Sequence, residues 1–309
     1  MNRTTKALLL AAWAFAAAAS AQQVADSDFA PPIERAAYEV GRGPKVVIDA
    51  AHLNFHTADD RYAPFAALLR RDGYRVESGA EAFTAGSLAD VDILVVSNAM
   101  HPQSEAGWAP LPNHSAFTDE EIREVEKWIH DGGSLLLIAD HMPLAGHAEG
   151  LAAAFGVRFH NGFAVDSAGN GQLTFRRTDG SLAPGLIADG RGDSERVEFV
   201  TTFGGQAFRI DPGVDSDPLL ILPSGHEVLL PEVAFEFSER TPRVSAANLL
   251  QGALVRHGRG RVAVFGEAAM FSAQLAGPNR QPMGMNAPAA RDNYRYVLNI
   301  LHWLSGAAP

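Results

Sequence analysis

Gly133-Ser-Leu-Leu-Leu-Ile-Ala-Asp-His-Met142 is the stretch that decides the fold, together with Asp92-Ile-Leu-Val-Val-Ser-Asn98. Each is a short, unbroken apolar run bounded by turn residues. A strand with one wet face would alternate polar and apolar residues. A continuous run instead signals a parallel strand covered on both faces. Working outward, Thr118-Asp-Glu-Glu121 has the spacing of a capping box, in which Thr118 and Glu121 satisfy each other's free backbone N–H groups. Ile122, Val125 and Ile129 give the following helix its apolar stripe, and Asp131-Gly132-Gly133 stops it. After the decisive strand a second helix runs from about Gly146 to Phe155, closed by Gly156.

The same alternation extends to both sides. Lys45-Val-Val-Ile-Asp49 reads as a strand. Tyr62, Phe65, Leu68 and Leu69 mark one face of a helix that stops at Asp72-Gly73, and Tyr74-Arg-Val76 begins the next strand. Gly260-Arg-Val-Ala-Val-Phe265 returns to core strand, and Asn293 to Leu304 forms a last amphipathic helix. Strand–helix alternation of this kind builds an α/β fold, doubly wound around a mostly parallel sheet. Between about 157 and 256 short alternating runs such as Gln172–Phe175, Arg196–Thr201 and Leu219–Leu222 replace the helices. This is read as a β-rich insertion in one domain spanning 44–306.

Arg3 and Lys6 precede an apolar run from Leu8 to Ala19, and Ala19-Ser20-Ala21 is a small-residue cleavage site. That order predicts a signal peptide over 1–21 and a periplasmic or extracellular protein. The run is shorter than the ~20 residues a spanning helix needs, so no stable membrane insertion is expected after cleavage. Residues 22–43, rich in Asp, Pro, Gly and Gln, are expected to form a flexible lead-in. The chain contains no cysteine, which excludes a thiol nucleophile and any thiolate-held metal. Its formal charge of −11 argues against a nucleic-acid partner, because such a surface repels a phosphate backbone.

The two decisive segments resemble the class I glutamine amidotransferase-like superfamily. Asp92–Asn98 looks like its strand leading to a ligand-facing turn, and Gly133–Met142 with the next helix looks like its strand–elbow–helix unit. Asp49-Ala-Ala-His52, Gly266 to Phe271 and Met283-Gly-Met-Asn286 resemble the pattern of a group of secreted, largely uncharacterised members. The resemblance implies a flavodoxin-like or amidotransferase-like sheet with related domains in sugar-utilisation proteins, gliding-associated transporters and intraflagellar transport. True amidotransferases hold a nucleophilic Cys at the elbow. Here His141 takes that position, or Asp140 if the turn is offset by one, so glutamine amidotransfer is not expected.

In open parallel sheets ligands bind beyond the carboxyl ends of the strands. Asp49, His52, Asn54 and His56 follow the first strand. Asn98 and His101 follow the third, Asp140 and His141 the next, and Glu267 the late one. His52 and His56 are four apart, a spacing that on a helix would put both imidazoles on one face. With His141 they form a candidate set for a divalent metal such as Zn, while caps and loop hydrogen bonds are the competing structural role. Asp140, His141 and Glu267 are the candidate catalytic groups, since a carboxylate beside an imidazole is a usable acid/base pair. Asn54, Asn98 and His101 are candidate ligand contacts. The expected function is a hydrolase, metal-dependent in one version, acting on a small polar or carbohydrate-like molecule. The alternative is a non-catalytic ligand-binding or assembly domain on the same fold.

Overall fold

The computed structural model describes residues 23–307, so the predicted signal peptide lies outside the described residues. In chain order, β1 (Val24–Ala25) is followed by β2 (Lys45–Asp49), α1 (Ala63–Arg71), β3 (Arg75–Gly79), the single turn α2 (Ala85–Leu88) and β4 (Ile93–Ser97). Next come α3 (Asp119–His130), β5 (Ser134–Ile138) and α4 (Leu144–Ala153). The β-rich stretch contains β6 (Val157–His160), β7 (Phe163–Val165), β8 (Gln172–Arg176), the turn α5 (Leu186–Asp189) and β9 (Phe199–Phe203). It continues through β10 (Ala207–Ile210), β11 (Ser216–Ile221), β12 (Glu227–Leu229) and β13 (Arg243–Ser245). The chain then forms β14 (Leu250–His257), β15 (Gly260–Phe265), β16 (Ala273–Ala276), β17 (Gln281–Gly284) and α6 (Asn293–Ser305).

The main sheet has nine strands in the order β3-β2-β4-β5-β15-β14-β10-β6, with β11 paired to β14. From β3 to β15 every pairing is parallel; from β15 onward every pairing is antiparallel. The fold is therefore mixed α/β with a central, mostly parallel sheet and added antiparallel strands. Side-chain alternation divides the core in two. Val46, Ile48, Ile93, Val95, Leu136, Ile138 and Phe265 face one layer. Leu94, Val96, Leu135, Leu137, Val262 and Val264 face the other. All five residues of β4 and all five of β5 are buried, which explains their unbroken apolar runs.

Local chemistry sets the turns. The capping box of α3 forms as its spacing predicts: Thr118 Oγ1 accepts the Glu121 N–H at 3.2 Å and Glu121 Oε2 accepts the Thr118 N–H at 2.9 Å. Gly133 opens β5 because the Trp128 indole lies where a side chain would begin. One expectation needs correcting. The lead-in is tied down rather than flexible over its described part: β1 pairs with β16, and Phe29, Ile33 and Tyr38 pack on the core, Tyr38 edge-on to Tyr74. Its composition lacks periodicity because single residues, not a face, make these contacts. Among the described residues no helix is long and apolar enough to cross a membrane.

Along the chain β2 is the first parallel strand, yet β3 and β4 flank it in the sheet. The order reverses between β2 and β4, and beyond a reversal the two connections diverge and leave a crevice at the carboxyl ends.

Candidate active site

A cavity of about 80 Å³ lies at this crevice, lined among others by His56, Asn98, Asp140, His141 and Glu267. A single water needs roughly 10–15 Å³ of such space, so the cavity can receive a small polar group. Five residues singled out in the sequence thus meet, from the loops after β2, β4, β5 and β15. Phe203, the last residue of β9, and Met283, in β17, also line it.

Asn98 organises the polar side. Its Oδ1 accepts the backbone N–H of Asp140 at 2.9 Å, which turns its Nδ2 to donate to His56 Nδ1 at 3.2 Å. With Nδ1 accepting, the His56 proton sits on Nε2. His56 is buried, its ring 4.6 Å from that of Tyr62, and burial together with the charge of Arg61 lowers its pKa to about 3. It stays neutral at all physiological pH and can act only as a neutral hydrogen-bond donor. Tyr62 is fixed beneath it by donating to Ala268 O (2.9 Å) and accepting from Ser97 Oγ (3.0 Å).

His141 has the opposite tautomer. Its Nδ1–H donates to Met142 O at 2.7 Å, leaving a lone pair on Nε2. The ring stacks on Phe163 at 4.5 Å and meets the edges of Phe235 and Trp108. Asp140 closes the turn by accepting the His141 N–H through Oδ1 at 2.8 Å.

Glu267 is fully buried, and its carboxyl accepts the N–H groups of Ala269 (2.7 Å) and Met270 (2.8 Å). Burial first, and then the charge of Asp140, hold its pKa well above the usual carboxylate range. The crevice therefore holds two carboxyl groups, and burial biases that of Glu267 toward its acid form. Gly205, at φ +96°, allows this approach, since a side chain there would collide with Gly266 and Glu267. Backbone strain gathers here too: Asn98 (φ +50°) and Phe235 (φ +67°), both lining the cavity, are among five described non-glycine residues with positive φ.

The other predicted residues lie elsewhere. His52 is held between Asp49 (2.9 and 3.0 Å from Nδ1) and Glu121 (2.9 Å from Nε2), sandwiched by Phe83 and Phe117. Burial opposes its charge, but the two carboxylates outweigh burial and raise its pKa. Both ring nitrogens donate, so His52 has no lone pair for a metal. His56 Nδ1 is taken by Asn98, so of the predicted metal set only His141 offers a free nitrogen. The set of His52, His56 and His141 is not brought together, and among the described residues no group of three His, Asp or Glu is arranged to hold a metal ion. Asn54 spends its side chain on Ser97 O and the His52 N–H, pinning the β2 loop to β4. His101 accepts the Gln103 N–H and packs beside His114 and His147.

Sequence reasoning missed Trp108, Phe235 and Gln274 in the cavity wall and Glu121 as the partner of His52. The capping-box spacing pointed to Glu121 for another purpose. The other three sit where no periodic pattern marks them.

No family model matches the chain, and no curated protein matches it in sequence. Among solved structures the mmIFT52 N-terminal domain is similar, with a TM-score of 0.56 at 14% identity, over 84% of this chain and 96% of that one. The likeness is one of fold. A cytoplasmic protein from Salmonella typhimurium LT2 (TM-score 0.48, 12% identity, 84% and 99% covered) also aligns. So does a putative ThuA-like protein from Bacteroides uniformis (TM-score 0.45, 8% identity, 89% and 94% covered).

Proposed function

We propose that the crevice is the active site of a hydrolase acting on a small polar or carbohydrate-like molecule. The observation that carries this reading is a pair of carboxyl groups in unlike surroundings, Asp140 and the fully buried Glu267, lining one cavity with the His141 imidazole, burial biasing Glu267 toward its acid form. Unlike environments that split two carboxyls are a common basis for acid/base division of labour. Glu267 gives its proton to the leaving oxygen as that bond breaks. His141 Nε2 takes a proton from water as the water oxygen bonds to the same carbon, and Asp140 steadies the imidazolium. Solvent then returns the proton from His141 to Glu267, and the net change is addition of one water. His56, neutral and donating through Nε2–H, holds a substrate oxygen without competing for protons. A divalent ion such as Zn would find its free imidazole at His141 with Asp140 beside it. The site is proposed to work in a periplasmic or extracellular setting, after removal of residues 1–21.

A second reading, a ligand-binding domain without chemistry, has one specific support: both Glu267 oxygens accept backbone N–H groups of the turn at Ala269–Phe271, as a purely structural cap would. The two are separated by turnover of a panel of chromogenic glycosides and esters by wild type, Glu267→Gln and His141→Gln. Turnover lost by about 10²–10⁴-fold in either variant supports the hydrolase, since that is the usual share of a general acid or base. No turnover of any substrate by a folded wild-type protein overturns it.

A further inference from the structure

The walls of the cavity restrict what can enter it. Among the described residues that line it there is no Lys or Arg, while Asp140 contributes a carboxylate. The nearby cation, Arg61, lies over the Phe55 ring at 4.0 Å and spends its Nη1 on Asp60 and Phe55 O. Among the described residues no cationic side chain therefore lines the crevice itself; Arg61 stands behind Phe55, its Nε buried without a partner. Three further aromatic side chains, Trp108, Phe203 and Phe235, line it, and aromatic rings are favourable neighbours for a cation.

An independent feature comes from β16. Ser272 uses its hydroxyl proton on Ala269 O (2.8 Å), so its oxygen is left to accept from Gln274 Nε2 at 2.6 Å. That fixes the Gln274 amide and leaves Oε1 buried with no partner, in a residue that lines the cavity and is itself fully buried. A buried acceptor without a donor is costly unless a ligand supplies one. A quaternary ammonium has no N–H to give it. A neutral hydroxyl can satisfy Gln274 but leaves the Asp140 carboxyl without a counter-charge, and an anion finds no Lys or Arg among the described residues that line the cavity.

We infer that the crevice binds a protonated primary amine, its N–H directed to Gln274 Oε1 and its charge answered by Asp140 and the aromatic faces. This narrows the substrate class of the proposed hydrolase to amine-bearing polar molecules and rests on that reading only for where the ligand sits. The test is a binding titration by saturation-transfer NMR at pH 7 with three small probes: ethanolamine, ethylene glycol and tetramethylammonium, which has charge but no donor. Ethanolamine should bind about tenfold more tightly than either of the others, a difference of about 1.4 kcal/mol. Gln274→Leu should remove most of that preference. Because Gln274 is buried, Trp108→Ala in its half-exposed loop is the second variant, and it should weaken ethanolamine several-fold while the thermal midpoint stays near wild type. Equal binding of ethanolamine and ethylene glycol, tetramethylammonium binding as well as ethanolamine, or no ethanolamine binding at all overturns the inference. Ethanolamine selectivity in a protein that hydrolyses nothing would sink the hydrolase alone.

Discussion

His52 and His56 are one helical turn apart in the sequence and opposite in physical chemistry. His52 sits in a closed knot in which both ring nitrogens meet carboxylates, and burial there is offset by two charge-assisted hydrogen bonds. His56 has an amide for a partner and a tyrosine for a floor, so burial acts on it unopposed and keeps it neutral. The first ties β2 to the start of α3. The second faces the cavity. An imidazole surrounded by opposite charge is locked into the architecture, whereas one held neutral by burial is left lining the cavity.

The contrast can be broken at several points. The largest effect is expected at the crevice: Asp140→Asn should lower hydrolytic turnover by about 10²–10⁴-fold while leaving the unfolding midpoint in denaturant nearly unchanged. If stability falls with activity, Asp140 belongs to the scaffold instead. The knot should behave inversely. His52→Ala leaves Asp49, about 1% exposed, without its counter-charge, and breaking a buried pair costs about 3–5 kcal/mol. Urea unfolding reads this directly, and a loss below about 1 kcal/mol would mean that the knot is incidental.

Acid titration sharpens the comparison further. The folded His56 pKa of about 3 lies below its unfolded value near 6.5, so the unfolded chain binds the extra proton between those limits. Stability from this residue is complete above pH 6.5 and falls by about 1.4 kcal/mol per unit as pH drops toward 3. His56→Gln should flatten that limb. His52 runs the other way: its folded pKa is raised, so its contribution is full below about 6.5 and is lost as pH rises through the folded value. Glu121, lowered in the fold against the pull of burial by its bonds to Thr118 and His52, contributes above about 4.5 and loses that share as pH falls. Stability curves of His52→Gln and His56→Gln should therefore deviate from wild type in opposite pH windows. The smallest effect is at the cap: Thr118→Ala should cost about 1 kcal/mol, the usual worth of an N-cap.

Much of this was legible in the residues themselves. Apolar runs at 45–49, 92–97, 134–139 and 260–265 named four of the five parallel strands, because a strand in the buried middle of the sheet carries little polar alternation; the fifth, β3, lies at the edge and has no such run. The capping box fixed the start of α3, because its partners are three residues apart. Asn98, Asp140, His141 and Glu267 could be placed at strand ends, hence near one crevice, from strand boundaries alone. The spacing of His52 and His56 misled, since these residues lie in a loop, where the four-residue rule of a helix has no force.

The sequence by itself determined the strand–helix alternation and which groups fall at the carboxyl edge of the sheet, because both depend on short-range pattern. Only the tertiary structure decided which of those groups line the cavity, which tautomer each imidazole adopts and which carboxyl burial pushes toward its acid form. Those properties depend on partners far away in the chain: Glu121 for His52, Asn98 for His56, Asp140 for Glu267. Electrostatics inside a protein follow distance in space and access to water, and neither is written in residue spacing.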